Sequence, residues 1–259
     1  MATRDDGQLA ASITSIYRYP VKGLSPQALR QVRLAAGETI PFDRIYAIEN
    51  GPGPFDPDRP EHLPKIHFCT LMRHEQLAKL KTEFDTATHT LSLWHNGALA
   101  ARGDLRVSQG RHAIANFIAG YMAQALRGTP RVVSAAGHSF SDIAPKCLHI
   151  VNMRSVAALE TLLGAGINPL RFRPNLILDG LPEWAEFDLI GKTFQAGSAT
   201  FEVFKRTERC TATNVDPVTG ARDMKIPSFL SRTLGHADFG VYARVVDGGH
   251  IAIGDQVTL

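Results

Sequence analysis

One short run holds the densest set of reactive residues in the chain: Lys205-Arg206-Thr207-Glu208-Arg209-Cys210, continuing through Thr211 to Gly220. A single cysteine stands there beside two arginines. Nearby positive charge favours thiolate over thiol, and a thiolate is both a nucleophile and a soft-metal ligand. Taken alone, Cys210 reads as a small core residue, because free cysteine is among the most buried types. The pattern around it argues for chemistry. The run leaves a strand in which Phe201 and Val203 alternate with Thr200 and Glu202. It ends in a tight turn, with Asp216-Pro217 at its start and Gly220 free to take positive φ.

Other cations are placed in rigid settings. Lys22 sits in the turn Pro20-Val21-Lys22-Gly23-Leu24-Ser25-Pro26, as a solvated lysine or as a fixed cation aimed at an anion. Arg44 follows Asp43, a surface pair worth little or a phosphate fork. Arg171 and Arg173 precede Pro174-Asn175, facing solvent or reaching a phosphate. Familiar alternatives fail. His74-Glu75 opens a zincin-like pattern, but position 78 is alanine; Gly137-His138-Ser139-Phe140-Ser141 lacks the last glycine of a nucleophile elbow. The sequence has no GxGxxG, P-loop or CxxC, and its ten histidines do not fall at metal-ligand spacing.

These residues must be positioned by many short strands. Strands are expected at 12–19, Leu29 to Leu34, Phe42 to Ile48, Ile66 to Leu71, Arg131 to Ser134, Leu148 to Val151, Leu176 to Asp179, Phe239 to Val246, His250 to Ile253 and Asp255 to Leu259. Asn96-Gly97 marks a hairpin between Leu91–Trp94 and Ala98–Arg102. Four helices are expected. One spans His74 to Phe84 (Leu77, Leu80, Phe84) and one 110–127, with Ile114, Phe117, Ile118 and Tyr121 in its stripe. The third runs from the Asn152 cap to the Gly164 stop, and the last from Pro227 to Leu234, ended by Gly235. The Pro- and Gly-rich stretch 50–64 reads as a long loop, lid or simply mobile, and a soft domain boundary falls in 135–146. The pattern is a β-barrel decorated with helices.

At 259 residues, 44% hydrophobic and 20% charged, the chain can bury a sizeable core as one large or two small domains. A net charge of +3 without a Lys/Arg run argues against nucleic acid as partner. The three distant cysteines argue for a reducing compartment. Residues 1–12 have no basic segment leading into an apolar one, and no run of about 18 apolar residues exists. A cytoplasmic protein without secretory signal or membrane partner is expected.

Several pieces occur in order: Tyr19-Pro20-Val21-Lys22-Gly23, Asp43-Arg44, Phe172-Arg173-Pro174-Asn175, Arg209-Cys210 through Asp216-Pro217 to Thr219-Gly220, Phe239-Gly240-Val241-Tyr242, and Ile253-Gly254-Asp255-Gln256-Val257. Together they resemble the MOSC family, the fold shared with the C-terminal domain of molybdenum cofactor sulfurase. The likeness is to the branch with a MOSC N-terminal barrel, typified by the mitochondrial amidoxime reducing component. It runs from about residue 12 to 259. It implies an α+β, predominantly β protein: a MOSC-type β-barrel with decorating helices over 136–259, and a smaller N-terminal β-barrel-like domain over 12–135, whose first strand packs with the second part or with its own.

The resemblance further implies a molybdenum–molybdopterin cofactor between the parts. Cys210 is then the metal ligand and a catalytic residue, with Asp216 of the same motif as a second catalytic candidate. Lys22, Gly23, Arg44, Arg173, Arg209, Asn175 and Tyr242 are implied to face the cofactor. Two departures stand out. Pro145-Lys146 replaces the small hydroxyl residues of relatives, leaving Lys146 as a cofactor-binding candidate by its charge. Glu208 stands where a serine can contact the cofactor, and a carboxylate beside a phosphate is unfavourable. The implied reaction is reduction of an N-hydroxylated or N-oxide small molecule. No cysteine cluster for an iron–sulfur centre is present, so electrons come from a separate iron–sulfur, flavin or haem protein. The alternative is a cofactor carrier or sulfur-transfer accessory with Cys210 as persulfide acceptor. MOSC domains are also linked to pyridoxal-phosphate-dependent sulfurases.

Overall fold

A computed structural model describes residues 11–259. The polar stretch read at residues 1–12 therefore lies almost wholly outside the described residues. In chain order the strands are β1 (Ala11–Arg18), β2 (Gln27–Leu29), β3 (Gln31–Leu34), β4 (Ala47–Glu49), β5 (Lys81–Asp85), β6 (Thr90–His95) and β7 (Ala98–Asp104). Helix α1 (Ser108–Tyr121) follows, then β8 (Arg131–Val133), β9 (Leu148–Asn152), α2 (Met153–Leu163), β10 (Leu176–Asp179), β11 (Thr193–Ala196) and β12 (Ala199–Glu208). Helix α3 (Ile226–Leu234) and β13 (Asp238–Asp247), β14 (Gly249–Ala252) and β15 (Gln256–Thr258) complete the chain.

Seven strands close a barrel in the order β10, β9, β13, β12, β11, β15, β1, with β1 returning to β10. The chain's first strand thus lies between strands from its second half. Closure leaves no unpaired edge among the seven, and alternate residues point inward; Phe201 and Val203 of β12 and Val241 and Ala243 of β13 are fully buried. The N-terminal part contains the meander β5-β6-β7 and the pair β4-β8. These share a core with Ile114 and Ile118 of α1. β3 crosses back to pair with β14.

Local signals place several elements well. Asn152 accepts a hydrogen bond from the Arg154 amide at the start of α2, and Gly164 ends that helix in the left-handed conformation. Gly235 does the same for α3, and Asn96-Gly97, both with positive φ, turn the β6–β7 hairpin.

Other expectations are corrected. His74 to Phe84 is not a helix: a 3-10 turn covers Glu75–Lys79, and β5 takes Lys81–Asp85 because β6 pairs with it. Leu77, Leu80 and Phe84 are buried as their spacing demanded, but in two elements. Phe42 to Ile48 is a turn followed by β4, since Phe42 and Arg44 both adopt left-handed φ that a strand excludes. The expected strand at 66–71 is a 3-10 turn, Lys65–His67, running into an isolated bridge at Phe68. The expected strand at 29–34 is split into β2 and β3. α1 ends at Tyr121, short of 127. Among the described residues there are therefore three α-helices, not four, and none is long and apolar enough to cross a membrane.

Candidate functional site

The ends of β9, β10 and β12 meet the N-terminal part along one cleft of about 210 Å³. At roughly 10–15 Å³ per ordered water, that is far more than a buried water or two requires. Eight cationic side chains line it against two carboxylates, Asp142 and Glu208. The cleft gathers Lys22, Gly23, Arg44, Arg173, Asn175, Arg209, Cys210 and Tyr242, residues spread over 220 positions of sequence.

Each is held by its neighbours. The Lys22 ammonium is buried and donates to the Phe140 carbonyl at 2.8 Å and to Asp142 Oδ1 at 2.5 Å. Burial lowers its pKa more than Asp142 raises it. Gly23 has φ +85, and a Cβ there would lie 2.3 Å from the Cys69 carbonyl oxygen, so only glycine lets the Lys22 turn pack this closely. Arg44 donates to Asp43 at 2.5 Å, and Asp43 also accepts from the Tyr19 amide. Burial works against the Arg44 charge, but Asp43 outweighs it and keeps the pKa raised. Arg173 is the left-handed cap of the 3-10 turn Pro169–Phe172; burial brings its pKa down to about 10. Asn175 Oδ1 accepts from the His149 amide and its Nδ2 donates to the Tyr17 carbonyl. Its role is to hold β9, β10 and β1 together beneath the cleft. Burial pushes the Tyr242 phenol up to about 12.

Cys210 follows β12 and is half-buried, unlike Cys69 and Cys147, which are buried thiols pushed up to about 12 by burial. Arg209 donates through Nη2 to the Phe172 carbonyl at 2.7 Å, and its Nη1 lies 3.3 Å from His149 Nε2. Burial, reinforced by the Arg209 charge, holds the His149 pKa well below its ordinary value, so the ring is neutral.

Two expected site residues lie elsewhere. The Asp216 carboxylate accepts from the Val218 and Thr219 amides and the Thr219 hydroxyl, and pairs with Arg171 at 3.2 Å. It closes the turn after the cysteine and does not line the cleft. Lys146 reaches the other way to Glu38 at 2.6 Å, an exposed surface pair. Glu208 does line the cleft, with its side chain exposed.

Three cleft residues carried no signal in the sequence. Lys65 comes from the end of the Pro-rich loop, pinned by the buried Phe55. It pairs with Asp142 at 3.8 Å and lies beside Cys210. Burial alone would lower its pKa, but Asp142 and the Cys210 side chain, by charge and hydrogen bonding, raise it. Asp142 is the second. Withdrawal from water pushes its pKa up, yet the Lys22 and Lys65 charges push it further down, well below the ordinary carboxylate range. His149 is the third.

Two arginines of the cleft lining each keep a buried donor without a partner. Arg173 Nη2 and Arg209 Nε are out of contact with solvent and have no hydrogen-bond partner. Leaving such groups unpaired costs about 1–3 kcal/mol each, and eight cations against two carboxylates give the cleft a positive lining. Among the described residues no three His, Cys, Asp or Glu side chains gather as a metal cage.

Residues 136–258 match the MOSC domain, and residues 10–130 match the MOSC N-terminal beta barrel domain. The chain belongs to the MOSC family. This MOSC protein is 24% identical over 243 residues to a molybdenum cofactor sulfurase of Caenorhabditis elegans, an alignment covering 90% of the chain. It spans about a third (33%) of the length of that curated relative. Among solved structures it is similar to the YUAD protein of Bacillus subtilis, with 12% identity, 96% of this chain and 95% of that one covered and a TM-score of 0.45. It is also similar to YiiM from Geobacillus stearothermophilus, with 20% identity, 43% and 53% covered and a TM-score of 0.35.

Proposed function

We propose that the cleft holds a molybdenum–molybdopterin cofactor and that the protein reduces N-hydroxylated or N-oxide small molecules. The observation that carries this reading is the pair of buried, unpartnered guanidinium nitrogens on Arg173 and Arg209, in a cleft with eight cations, beside a half-buried cysteine. A phosphate-bearing pterin needs forked donors in a water-poor site, and a metal already held by sulfur atoms takes a thiolate as a further soft ligand. The residues present fit that group. Arg44, Arg173 and Arg209 would hold its anionic end, Lys22 would add charge, and Cys210 would ligate the metal. The bound group supplies two-electron chemistry at an N–O bond; the protein supplies position and electrostatics.

The chain's own residues then divide the work. Asp43 fixes the Arg44 fork. The neutral His149 ring gives Arg209 a partner without adding a like charge. Lys22 and Lys65 hold Asp142 ionised on the cleft wall. Electrons come from a separate iron–sulfur, flavin or haem protein, and the setting is the cytoplasm, with neither nucleic acid nor membrane as partner.

A second reading is a cofactor carrier or sulfur-transfer accessory with Cys210 as persulfide acceptor. The likeness to a molybdenum cofactor sulfurase and the partial exposure of Cys210 favour it. One experiment separates the readings. Molybdenum and pterin are measured on protein from a cofactor-producing host, beside Cys210→Ala, and the holoprotein is assayed with an amidoxime and a chemical reductant. About one metal per chain, lost in the variant, with turnover supports the reductase. Metal without turnover supports the carrier, and neither metal nor pterin in the wild type sinks both cofactor readings.

A further inference from the structure

The cations of the cleft are not all equivalent. Arg44 is paired to Asp43, and Arg209 and Arg173 each keep a buried donor without a partner. Lys65 is different. It enters from the N-terminal part on the 3-10 turn Lys65–His67, keeps 30% of its side chain exposed, and stands beside Cys210. Its partner Asp142 already has the Lys22 ammonium at 2.5 Å, while the Lys65 distance is a looser 3.8 Å. Asp142 therefore leaves much of the Lys65 charge uncompensated. Lys205, exposed on the same cleft lining, adds to it, and Glu208 is the other carboxylate there.

We propose that Lys65 is a specificity-determining residue: its ammonium, at the approach to the Cys210 sulfur, selects small-molecule substrates that carry a carboxylate or another anionic group. The inference takes the substrate class of the site read above as a reductase, and rests on that reading for the word substrate. The Lys65 ammonium and its 30% exposure are features of the chain itself. A cleft walled by low-dielectric protein and lined by one sign of charge concentrates counter-ions, raising encounter rates by about 10 to 1,000-fold.

The test uses two alkylating probes of similar size, iodoacetate and iodoacetamide, on the full chain purified without cofactor. The rate ratio at Cys210, read by mass spectrometry and divided by the same ratio for free cysteine, cancels the intrinsic reactivity of the thiol and leaves the effect of probe charge. Cys69 and Cys147 are buried and do not compete. The wild-type normalised ratio is expected to favour the anion about tenfold, to fall at least about threefold in Lys65→Gln, and to survive in Lys65→Arg. It should also collapse between about 20 mM and 500 mM salt, where the screening length shrinks to a few ångströms; that arm needs no variant. A wild-type ratio at or below that of free cysteine, or no change in Lys65→Gln and with salt, overturns the proposal. On loaded enzyme, Lys65→Gln should raise KM for a carboxylated amidoxime at least about threefold more than KM for its neutral analogue; equal effects on both overturn the substrate assignment. Failure of molybdenum to bind would remove the reductase reading and leave the alkylation result standing.

Discussion

Arg44 donates through Nη2 to the Arg173 carbonyl at 3.4 Å, and the two guanidinium groups lie 4.6 and 4.2 Å from the centre of one aromatic ring, Tyr19. The two cations are 129 residues apart in sequence. The electron-rich faces of a ring attract guanidinium groups, so Tyr19 can keep two like charges together in a buried place. Its hydroxyl donates to the Pro174 carbonyl at 3.1 Å, tying β1 to the Arg173 turn.

Replacing Tyr19 should therefore separate two effects. Tyr19→Phe removes one hydrogen bond and is expected to cost about 0.5–1.5 kcal/mol of stability while keeping the ring and the cation pair. Tyr19→Leu also removes the aromatic face and is expected to reduce cofactor retention together with stability. Chemical unfolding and metal content of the purified variants check this; equal metal content in wild type and Tyr19→Leu would show that the ring does not organise the two arginines.

Asp216 and Lys146 should behave as structural and surface residues. Asp216→Ala leaves the Val218 and Thr219 amides without their acceptor, and Arg171 retains Asp223 at 2.8 Å. A loss of about 1–2 kcal/mol is expected, with turnover per bound cofactor unchanged. Lys146→Gln removes an exposed pair worth about 0–1 kcal/mol and should leave metal content as it was. Stability curves and metal-normalised rates read both; a rate loss without a stability loss in Asp216→Ala would return that residue to the chemistry.

Glu186 gives the pH dependence. Its carboxyl is buried between Ser155 and Asn152, which both donate to Oε2, while Oε1 has no partner. Burial outweighs those hydrogen bonds and raises its pKa. The folded state then holds the proton more tightly than the unfolded chain, so stability falls as pH rises from the ordinary carboxyl value through the raised folded one. Glu186→Gln removes the charge. Its advantage should be absent at pH 4, grow above that and level off, reaching about 1–3 kcal/mol if the unpaired oxygen dominates. Thermal melts of both proteins from pH 4 to 8 measure it. A constant difference across that range would show that Glu186 does not titrate with folding.

Features that depend on neighbours a few residues away were legible before any fold was known. Asn152, Gly164 and Gly235 bound their helices because a side-chain acceptor or a left-handed φ is needed at those positions whatever packs against the helix. Asn96-Gly97 set the β6–β7 turn for the same reason. The Arg209-Cys210 and Arg173-Pro174-Asn175 motifs marked two walls of the cleft, because a thiol beside guanidinium groups is legible from residue type alone. Tertiary structure decided the rest. Leu77, Leu80 and Phe84 are buried in any reading, but only the presence of β6 made 81–85 a strand. Asp142 and Lys65 come from loops without a motif, and meet only because the β4–β8 pairing and the packing of Phe68 on Phe140 bring the 140–142 segment and the Lys65 turn together. Lys146 and Asp216 lie near the site in sequence but not in the cleft: a side chain's direction follows from the partner it finds, and Glu38 and Arg171 were those partners.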